Sequence, residues 1–212
     1  MKKSIYIILL LCVMFFLPSC SSIPKNNPYF YGGDQVLLSA NAEFYEVETH
    51  EEKSVEIKVG LIKVYEQGSL YKFAVEPLGY LGAERVNIYF YVTNEKIYRI
   101  WSYIYQDEEV IEFYNDDELI VKYLNTDEEL VANGEIVCQL EEISEKTEDG
   151  ISYSISIIGN QVMYSRRDEQ ANGETGFYEW FTWEKGKGLV DYGSGFGLEG
   201  DILYLSEIEI SS

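Results

Sequence analysis

The sequence predicts a mainly β protein, a single antiparallel meander of about ten strands curled into a half-barrel, barrel or sandwich, with one or two short helices. From Ala42 almost to the end, apolar and polar residues alternate with a period of two, which is typical of strands. Nearly every connection is short and polar, so neighbouring strands run antiparallel without helical crossovers. A sheet of that size with few helices to cover it must curl to bury its apolar face.

The chain begins with an export signal. Lys2 and Lys3 precede an apolar run over residues 5–17, and this run is shorter than the ~20 apolar residues that cross a bilayer. Behind it, prolines, asparagines and a Gly-Gly pair without periodicity indicate a tether. The alternative for its aromatic cluster, Tyr29-Phe30-Tyr31, is docking onto the domain, which would shorten the free length. We therefore predict three parts: a signal peptide over residues 1–19, a lipidated cysteine with a flexible tether over residues 20–33, and one β-rich domain over residues 34–212.

The end of the signal resembles a known processing site. Leu17-Pro18-Ser19-Cys20 resembles the lipobox of bacterial lipoproteins, with Leu17 in the apolar position, Ser19 in the small position and Cys20 as the modified residue. Pro18 departs from the pattern, which usually has a small or β-branched residue there. The resemblance implies acyl chains such as palmitate on Cys20 and a place at the outer face of the bacterial cytoplasmic membrane. The alternative is an ordinary secretory signal that leaves Cys20 as a thiol.

The strands follow in order along the domain. An alternating run over residues 55–61 turns at Gly68 into residues 70–75 and predicts a hairpin. Residues 97–105 carry apolar or aromatic side chains on both faces, so we expect this strand to be covered on both faces. Gly159-Asn160 is a two-residue hairpin turn. Further strands are predicted over residues 86–92, 110–114, 135–143, 151–158, 161–165, 177–184, 188–192 and 201–210.

One helix has a clear start signal. Thr126 and Glu129 have the spacing of a capping box, and Gly134 is placed to end the segment. The helix is predicted to bury Leu130 and Val131 against the sheet. Residues 116–124 before it fit either a helix or a strand.

Net charge limits the partners. The chain has 37 acidic and 16 basic residues and a net charge of −21, and removal of Lys2 and Lys3 with the signal leaves 14 − 37 = −23. Nucleic acid and anionic membrane surfaces are bound by neutralising phosphates with Lys and Arg, so this charge excludes both as partners of the domain. Four arginines are predicted to brace acidic neighbours: Arg85, Arg99, Arg166 and Arg167.

Residues suited to catalysis or metal binding are few. His50 is the only histidine, and its acidic neighbours are typical of an exposed turn. Cys12 leaves with the signal and Cys20 carries the lipid, so Cys138 remains alone as a buried, inert thiol without a disulfide. Zinc sites of clustered Cys and His are excluded by this count, and the acidic runs lack the spacing of an EF-hand loop. We predict no catalytic residue, no metal and no cofactor.

Aromatic residues are unusually frequent, with 19 Tyr, 10 Phe and 3 Trp. They concentrate in residues 88–105 and 177–183. A row of them on an exposed sheet face would bind sugar rings or a protein partner, because Tyr and Trp offer apolar area with a polar edge. The alternative is packing in the core. The candidate binding surface comprises Tyr89, Tyr91, Tyr98, Trp101, Tyr103, Trp180 and Trp183.

A second resemblance lies near the C-terminus. The stretch from Trp183 to Tyr192, with Gly186, Gly188, Leu189 and Val190 between them, resembles a motif of uncharacterised lipoproteins of Gram-positive bacteria. Some relatives of that kind have sheets curved around a lipid-binding cavity, which implies a similar sheet here.

The expected function is binding. We predict a lipid-anchored, extracytoplasmic lipoprotein with a non-catalytic domain that binds a ligand or a protein; its partners would be the membrane, through the anchor, and a cell-envelope glycan, lipid or protein, but no nucleic acid. Two alternatives stay open. One is a carrier of a lipid-like ligand in an apolar cavity, and the other is a carboxylate-dependent hydrolase acting on cell-envelope sugar.

Overall fold

The computed structural model describes residues 27–46, 49–76, 86–106, 109–114, 116–148, 150–169, 175–196 and 202–211. The predicted signal peptide, Cys20, the first part of the tether and Arg85 lie outside the described residues.

Fourteen strands and two helices are described, so the protein is mainly β as predicted, with more strands than the ten expected. The strands are β1 Gln35–Glu46, β2 Thr49–Val64, β3 Gly68–Glu76, β4 Val86–Thr93, β5 Ile97–Ile100, β6 Tyr103–Gln106, β7 Glu109–Glu112, β8 Gly134–Cys138, β9 Ile143–Glu148, β10 Ile151–Ile158, β11 Gln161–Glu169, β12 Thr175–Glu184, β13 Gly188–Phe196 and β14 Ile202–Ile210. The helices are α1 Asp117–Tyr123 and α2 Asp127–Ala132. The larger number has two sources. No separate strand is predicted over residues 35–46, where β1 lies. Two predicted strands are divided: residues 97–105 form parts of β5 and β6, and residues 135–143 form most of β8 and reach the first residue of β9.

Twelve strands form one antiparallel sheet, in the order β8-β5-β4-β3-β2-β1-β14-β13-β12-β11-β10-β9, while β6 and β7 form a separate hairpin. The first and last strands, β1 and β14, pair in the middle of the sheet. Within the part of the chain that the structure describes, β8 and β9 are the two edges and no ladder joins them. Of the three predicted shapes, the sheet is therefore the open one.

The sheet curls around an aromatic core on its concave, inner face. Phe90 of β4 lies 5.1 Å from Trp183 and 5.4 Å from Phe181, both on β12, measured between ring centroids. Because β4 and β12 belong to opposite halves of the sheet, these contacts require the sheet to fold over on itself. The three rings are fully buried.

A second core lies on the outer face of β3, β4 and β5, under the two helices. It contains Leu70, Tyr89 and Tyr91 from the sheet and Ile120, Leu124 and Leu130 from the helical segment. The predicted coverage of residues 97–105 on both faces is confirmed for β5, whose four residues are all buried. It is wrong for β6, where Tyr103 is 37% and Tyr105 is 73% exposed.

The capping box at the start of α2 is confirmed. Thr126 Oγ1 accepts the Glu129 amide at 3.2 Å, and Glu129 Oε2 accepts the Thr126 amide at 3.1 Å. Leu130 is fully buried, but Val131 is 44% exposed, so the predicted burial of Val131 is wrong. In a helix of six residues only one face can meet the sheet, and adjacent residues point about 100° apart. Residues 117–123 form a separate helix, α1, rather than a strand.

The end of the predicted tether packs on the domain. This segment, residues 27–31, is called the N-terminal strap. Asn27 donates its side-chain amide to the Thr93 carbonyl at 2.9 Å, and the Tyr31 hydroxyl donates to the Leu189 carbonyl at 2.7 Å. Phe30 lies 4.6 Å from Tyr71 between ring centroids. These contacts favour the alternative, in which Tyr29, Phe30 and Tyr31 dock onto the domain, over a tether that stays free through residue 33.

Side chains also connect the two halves of the sheet across its inner face. Glu135 of β8 accepts hydrogen bonds from Tyr164 at 2.5 Å and Arg166 at 3.1 Å, both on β11. Arg99 of β5 pairs with Glu179 of β12 at 3.5 Å. We call these five residues the closing network, since they hold the open sheet in its curled shape. Two of the four predicted bracing arginines, Arg99 and Arg166, do pair with acidic residues.

Candidate functional site

Four of the seven aromatic residues predicted to form a surface are buried. Tyr89, Tyr91 and Trp183 are 0% exposed and Tyr98 is 8% exposed. The surface prediction is wrong for these four residues, because Trp183 faces the inner core and the three tyrosines lie beneath the helices. Their chemistry is that of core packing.

The hydroxyl groups of the buried tyrosines fasten the helices to the sheet. Tyr91 donates to the Asp127 carboxylate, which also accepts the amides of Glu66 and Gln67, each at 3.1 Å. Tyr89 donates to the Tyr114 carbonyl at 2.8 Å. Burial, followed by the hydrogen bond to Asp127, raises the pKa of Tyr91, so this hydroxyl stays protonated and structural.

Trp101 lies beside the closing network. The guanidinium carbons of Arg99 and Arg166 lie 4.8 Å and 4.7 Å from its ring centroid, and Phe177 packs against its edge at 5.7 Å. These contacts engage the indole in cation–π packing inside the protein. Tyr103, which is 37% exposed, lies on the β6–β7 hairpin and contacts Trp101 at 6.2 Å.

Trp180, one of the seven residues predicted to form a binding surface, lies on the outer face of the main sheet and is partly exposed. Its ring covers Gly193 on the neighbouring strand: a Cβ on Gly193 would lie 1.9 Å from the nearest indole atom. The indole N–H donates to Asp191 Oδ1 at 2.9 Å, and the Tyr204 hydroxyl donates to Asp191 Oδ2 at 2.6 Å. One carboxylate therefore fixes two aromatic side chains from different strands.

Three aromatic rings lie together at this point on the outer face. Tyr178, two residues along β12, is parallel to Trp180 within 7° with centroids 5.9 Å apart, and Tyr204 lies 5.9 Å from Trp180 across β13. All three side chains are partly exposed. We call Tyr178, Trp180 and Tyr204 the aromatic platform.

A polar groove of about 390 Å³ lies beside the platform. Across three strands, Ser154, Ser165 and Trp180 are aligned in register, and the two serine hydroxyls lie 3.0 Å apart. Charged side chains of both signs, Arg167 and Glu145, line the same groove. The groove thus joins a flat aromatic wall to hydrogen-bonding groups.

Sequence reasoning missed most of this site. Tyr178 could have been found, since alternation places it on the face of Trp180. Gly193 carried a signal too, because a glycine within a strand marks the close approach of another group. Asp191 and Tyr204 carried none, since their place beside Trp180 depends on the pairing of β13 with β12 and β14.

Another group of polar residues lies on the same face beside the platform, where Glu43 pairs in register with Tyr204. His50 Nε2 is 3.6 Å from carboxylate oxygens of both Glu43 and Glu52, and the imidazole stacks on Tyr45 with centroids 4.4 Å apart. His50 lies at the start of β2 and is exposed, rather than held in a catalytic cleft. Imidazole and carboxylates are possible ligands for a cation, but exposed groups of this kind are common without one. We assign no metal here.

Two buried ionisable residues have no access to the surface. Glu179 is 1% exposed, and burial raises the pKa of its carboxyl group although Arg99 opposes that shift. Burial also raises the pKa of the Cys138 thiol to about 12, so the predicted inert, buried cysteine is confirmed. Neither residue is placed to meet a substrate.

Comparisons with known proteins give fold-level likenesses only. No protein-family model matches the chain. No curated protein matches it either. The structure is similar to that of a predicted lipoprotein from Parabacteroides distasonis, with 12% identity over 87% of this chain and 99% of that one and a TM-score of 0.36. It is also similar to a LolA superfamily protein from Nitrosomonas europaea, with 9% identity over 89% of this chain and 91% of that one and a TM-score of 0.29. Likenesses this distant do not indicate what this chain binds.

None of the helices in the described residues has the length and apolarity needed to span a bilayer.

Proposed function

We propose that this chain is a lipoprotein anchored by acyl chains on Cys20 at the outer face of the cytoplasmic membrane, with a domain that binds a ligand without transforming it. The stretch Leu17-Pro18-Ser19-Cys20 supports the anchor, and the N-terminal strap limits how far the domain can lie from it. Asn27, the first residue of the strap, is 27 − 20 = 7 residues from Cys20 and is buried against the domain. Seven residues reach at most ~25 Å at 3.6 Å each. An anchor on Cys20 would therefore keep the domain close to the bilayer.

The binding role is supported by where polar and aromatic groups lie. On the outer face, Trp180 and its neighbours combine apolar ring surface with hydroxyl and charged groups in an open groove. Glu179, in contrast, lies in the interior and is paired with Arg99. A hydrolase acting on cell-envelope sugar would need two accessible, converging carboxyl groups. Glu43 and Glu52 do converge on His50, but at the exposed start of β2 and outside the groove, so the arrangement of the described residues favours binding over this chemistry.

Replacement of Cys20 tests the anchor. Cys20→Ala is expected to abolish labelling by a palmitate analogue and to release the exported protein from membranes, because two or three acyl chains at about 0.8 kcal/mol per buried CH₂ supply the attachment. Ser22→Ala serves as the matched control and should keep both. Export must be verified by cleavage of the signal. Membrane attachment that persists in cleaved Cys20→Ala protein would refute the anchor.

A second candidate is a carrier of a lipid-like ligand. The observation that favours it is the open sheet with an aromatic inner face, over which the strap places Phe30, 6.2 Å from Trp183 and 5.9 Å from Phe73 between ring centroids. Phe90, Phe181 and Trp183 fill this space. A lipid would therefore have to displace Phe30 and separate the aromatic side chains that fill the inner face of the sheet.

Lipid extraction separates the two candidates. The chain purified from membranes in mild detergent would be extracted with organic solvent, and the extract analysed by mass spectrometry against an equal amount of the control variant Phe30→Trp. If the protein is a carrier, the parent chain retains a stoichiometric amount of lipid, and Phe30→Trp excludes that lipid by its bulkier side chain. Equal, substoichiometric lipid in both samples would remove the carrier function.

A further inference from the structure

We infer that the aromatic platform and its groove bind a neutral glycan chain, with the apolar faces of successive sugar rings on Tyr178, Trp180 and Tyr204. This inference rests on the proposed binding role and names its site and ligand class. It does not depend on lipidation of Cys20, because the platform lies within the folded domain.

The first argument is the shape of the site. Because Gly193 has no side chain, the Trp180 ring can lie over the backbone of β13, and three of its atoms are within 1.9 to 2.3 Å of the position a Cβ would take. The indole is thus supported by the sheet at Gly193 while the side chain remains partly exposed. A supported, partly exposed aromatic ring suits packing against the apolar face of a pyranose ring.

The second argument is the extent of the aromatic surface. Trp180 has two aromatic neighbours with ring centroids 5.9 Å away, Tyr178 along its own strand and Tyr204 across β13. Three adjoining rings offer more surface than one sugar ring covers, which fits a ligand of several sugar units better than a single small molecule.

The third argument is the fixed position of the rings. Asp191 accepts hydrogen bonds from both Trp180 and Tyr204, so neither side chain must be ordered when a ligand arrives. Immobilising a side chain on binding costs ~0.5–1.5 kcal/mol, and here the folded protein has already met that cost. Weak contacts with sugar rings can therefore yield measurable affinity.

The fourth argument is the chemistry of the groove. Ser154 and Ser165 can donate and accept, Arg167 donates, and Glu145 accepts. This mixture suits the many hydroxyl groups of a sugar, each of which both donates and accepts. The formal charge of −21 opposes polyanionic chains, so the preferred glycan is neutral. The volume of about 390 Å³ lies within the range of sites for small ligands, about 300–1,000 Å³.

A protein partner fits these observations less well. A stable protein interface buries about 800 Å² on each partner around a core of apolar anchors. The platform comprises three partly exposed rings bordered by hydroxyl and charged groups, which is smaller than such a core. A protein partner is an outcome of the experiment below that would overturn the inference.

The experiment uses the full lipidated chain in detergent micelles, with chitotetraose and cellotetraose as neutral probes and a polygalacturonate tetramer as the acidic comparison. Binding is measured by calorimetry and by tryptophan fluorescence. Trp180→Ala and Tyr178→Ala are expected to weaken binding of the neutral probe by about tenfold or more. Gly193→Ala is expected to do the same while every aromatic residue is kept, because the new Cβ displaces the indole.

Two controls match these changes. Gly60→Ala adds the same methyl group to another strand, at a position with no atom within 4 Å. Tyr105→Ala removes a tyrosine that is 73% exposed on the β6–β7 hairpin. Both should bind the neutral probe like the parent chain. Far-UV circular dichroism and melting confirm that each variant is folded, and Tyr178→Ala keeps the test valid if Gly193→Ala fails to fold.

Three outcomes would overturn the inference: no binding of either neutral probe by the parent chain, equal binding by folded Trp180→Ala and Tyr178→Ala, or a preference for the acidic probe. A protein captured through the platform while both neutral sugars are ignored falls under the first. Palmitate labelling of Cys20 is measured separately, so failure of glycan binding and failure of the anchor can be distinguished.

Discussion

Replacement of Tyr31 would test whether the N-terminal strap belongs to the cooperative fold. Tyr31 is 7% exposed, its hydroxyl donates to the Leu189 carbonyl at 2.7 Å, and its ring covers Gly188. Loss of the hydroxyl alone, in Tyr31→Phe, should cost ~0.5–1.5 kcal/mol. Tyr31→Ala also leaves a cavity, and large buried aromatic residues cost ~3–5 kcal/mol when cut to alanine.

These free energies correspond to measurable shifts in melting temperature. For a domain of this size each 1 kcal/mol shifts Tm by ~2–4 °C, so Tyr31→Phe should lower Tm by ~1–6 °C and Tyr31→Ala by ~6–20 °C. The assay is thermal melting followed by circular dichroism, with Tyr105→Ala as the control for an exposed tyrosine, expected within ~0.5 kcal/mol of the parent. If Tyr31→Ala melts like Tyr105→Ala, the strap is a loose tether and contributes nothing to the fold.

Three further predictions concern the cap of α2 and two buried residues, Glu179 and Cys138. Thr126→Ala should cost ~0.5–2 kcal/mol in a denaturant melt by removing the cap of α2, and an unchanged midpoint would show that α2 does not need it. Glu179→Ala should cost ~3–5 kcal/mol because it leaves Arg99 buried without its carboxylate, and a double-mutant cycle with Arg99→Ala should reveal the coupling. Burial raises the pKa of Glu179, so the folded state holds the proton of this carboxyl group more tightly than the unfolded chain does. The contribution of Glu179 to stability therefore falls as pH rises from the ordinary glutamate pKa to the raised one. Glu179→Ala should flatten that part of the stability–pH curve. Cys138, whose thiol pKa is raised to about 12, should resist iodoacetamide at neutral pH until the domain is unfolded, and rapid labelling of the native chain would contradict its burial.

The sequence was informative about strands because alternation is local, whereas the choice of exposed face is not. Trp180 and Trp183 lie on the same strand, and their odd spacing alone puts them on opposite faces. Which face is outward depends on how far the sheet curls, and that is decided by contacts between distant strands. The neighbours held a hint: Phe177, Phe181 and Trp183 share the inner face, while Tyr178 and Thr182, which carry hydroxyl groups, share the face of Trp180.

The strap shows a different limit of sequence reasoning. Asn27, Pro28 and the neighbouring glycines are typical of a linker, and only the aromatic cluster Tyr29-Phe30-Tyr31 indicates docking as an alternative. The hydrogen-bond partners of the strap lie far away in the chain. Thr93 is 66 positions from Asn27, and Leu189 is 158 positions from Tyr31. Gly186, equally distant, donates its amide to the Pro28 carbonyl. The surface on which Tyr29 and Tyr31 pack forms only when these distant parts of the chain have come together.

The pairing of β1 with β14 affects how the protein can be made. Leu38 pairs with Ile210, a separation of 210 − 38 = 172 residues, so the centre of the sheet is the last part that a growing chain can complete. Pairings this distant slow folding, because loop closure must come before the contacts reward it. A chain cut short before Ile202 would keep both halves of the sheet but leave β1 and β13 as unpaired edges, which invite aggregation. Loss of β14 should therefore destabilise the whole sheet and not only its own strand. Proteolysis within β14 should have the same effect.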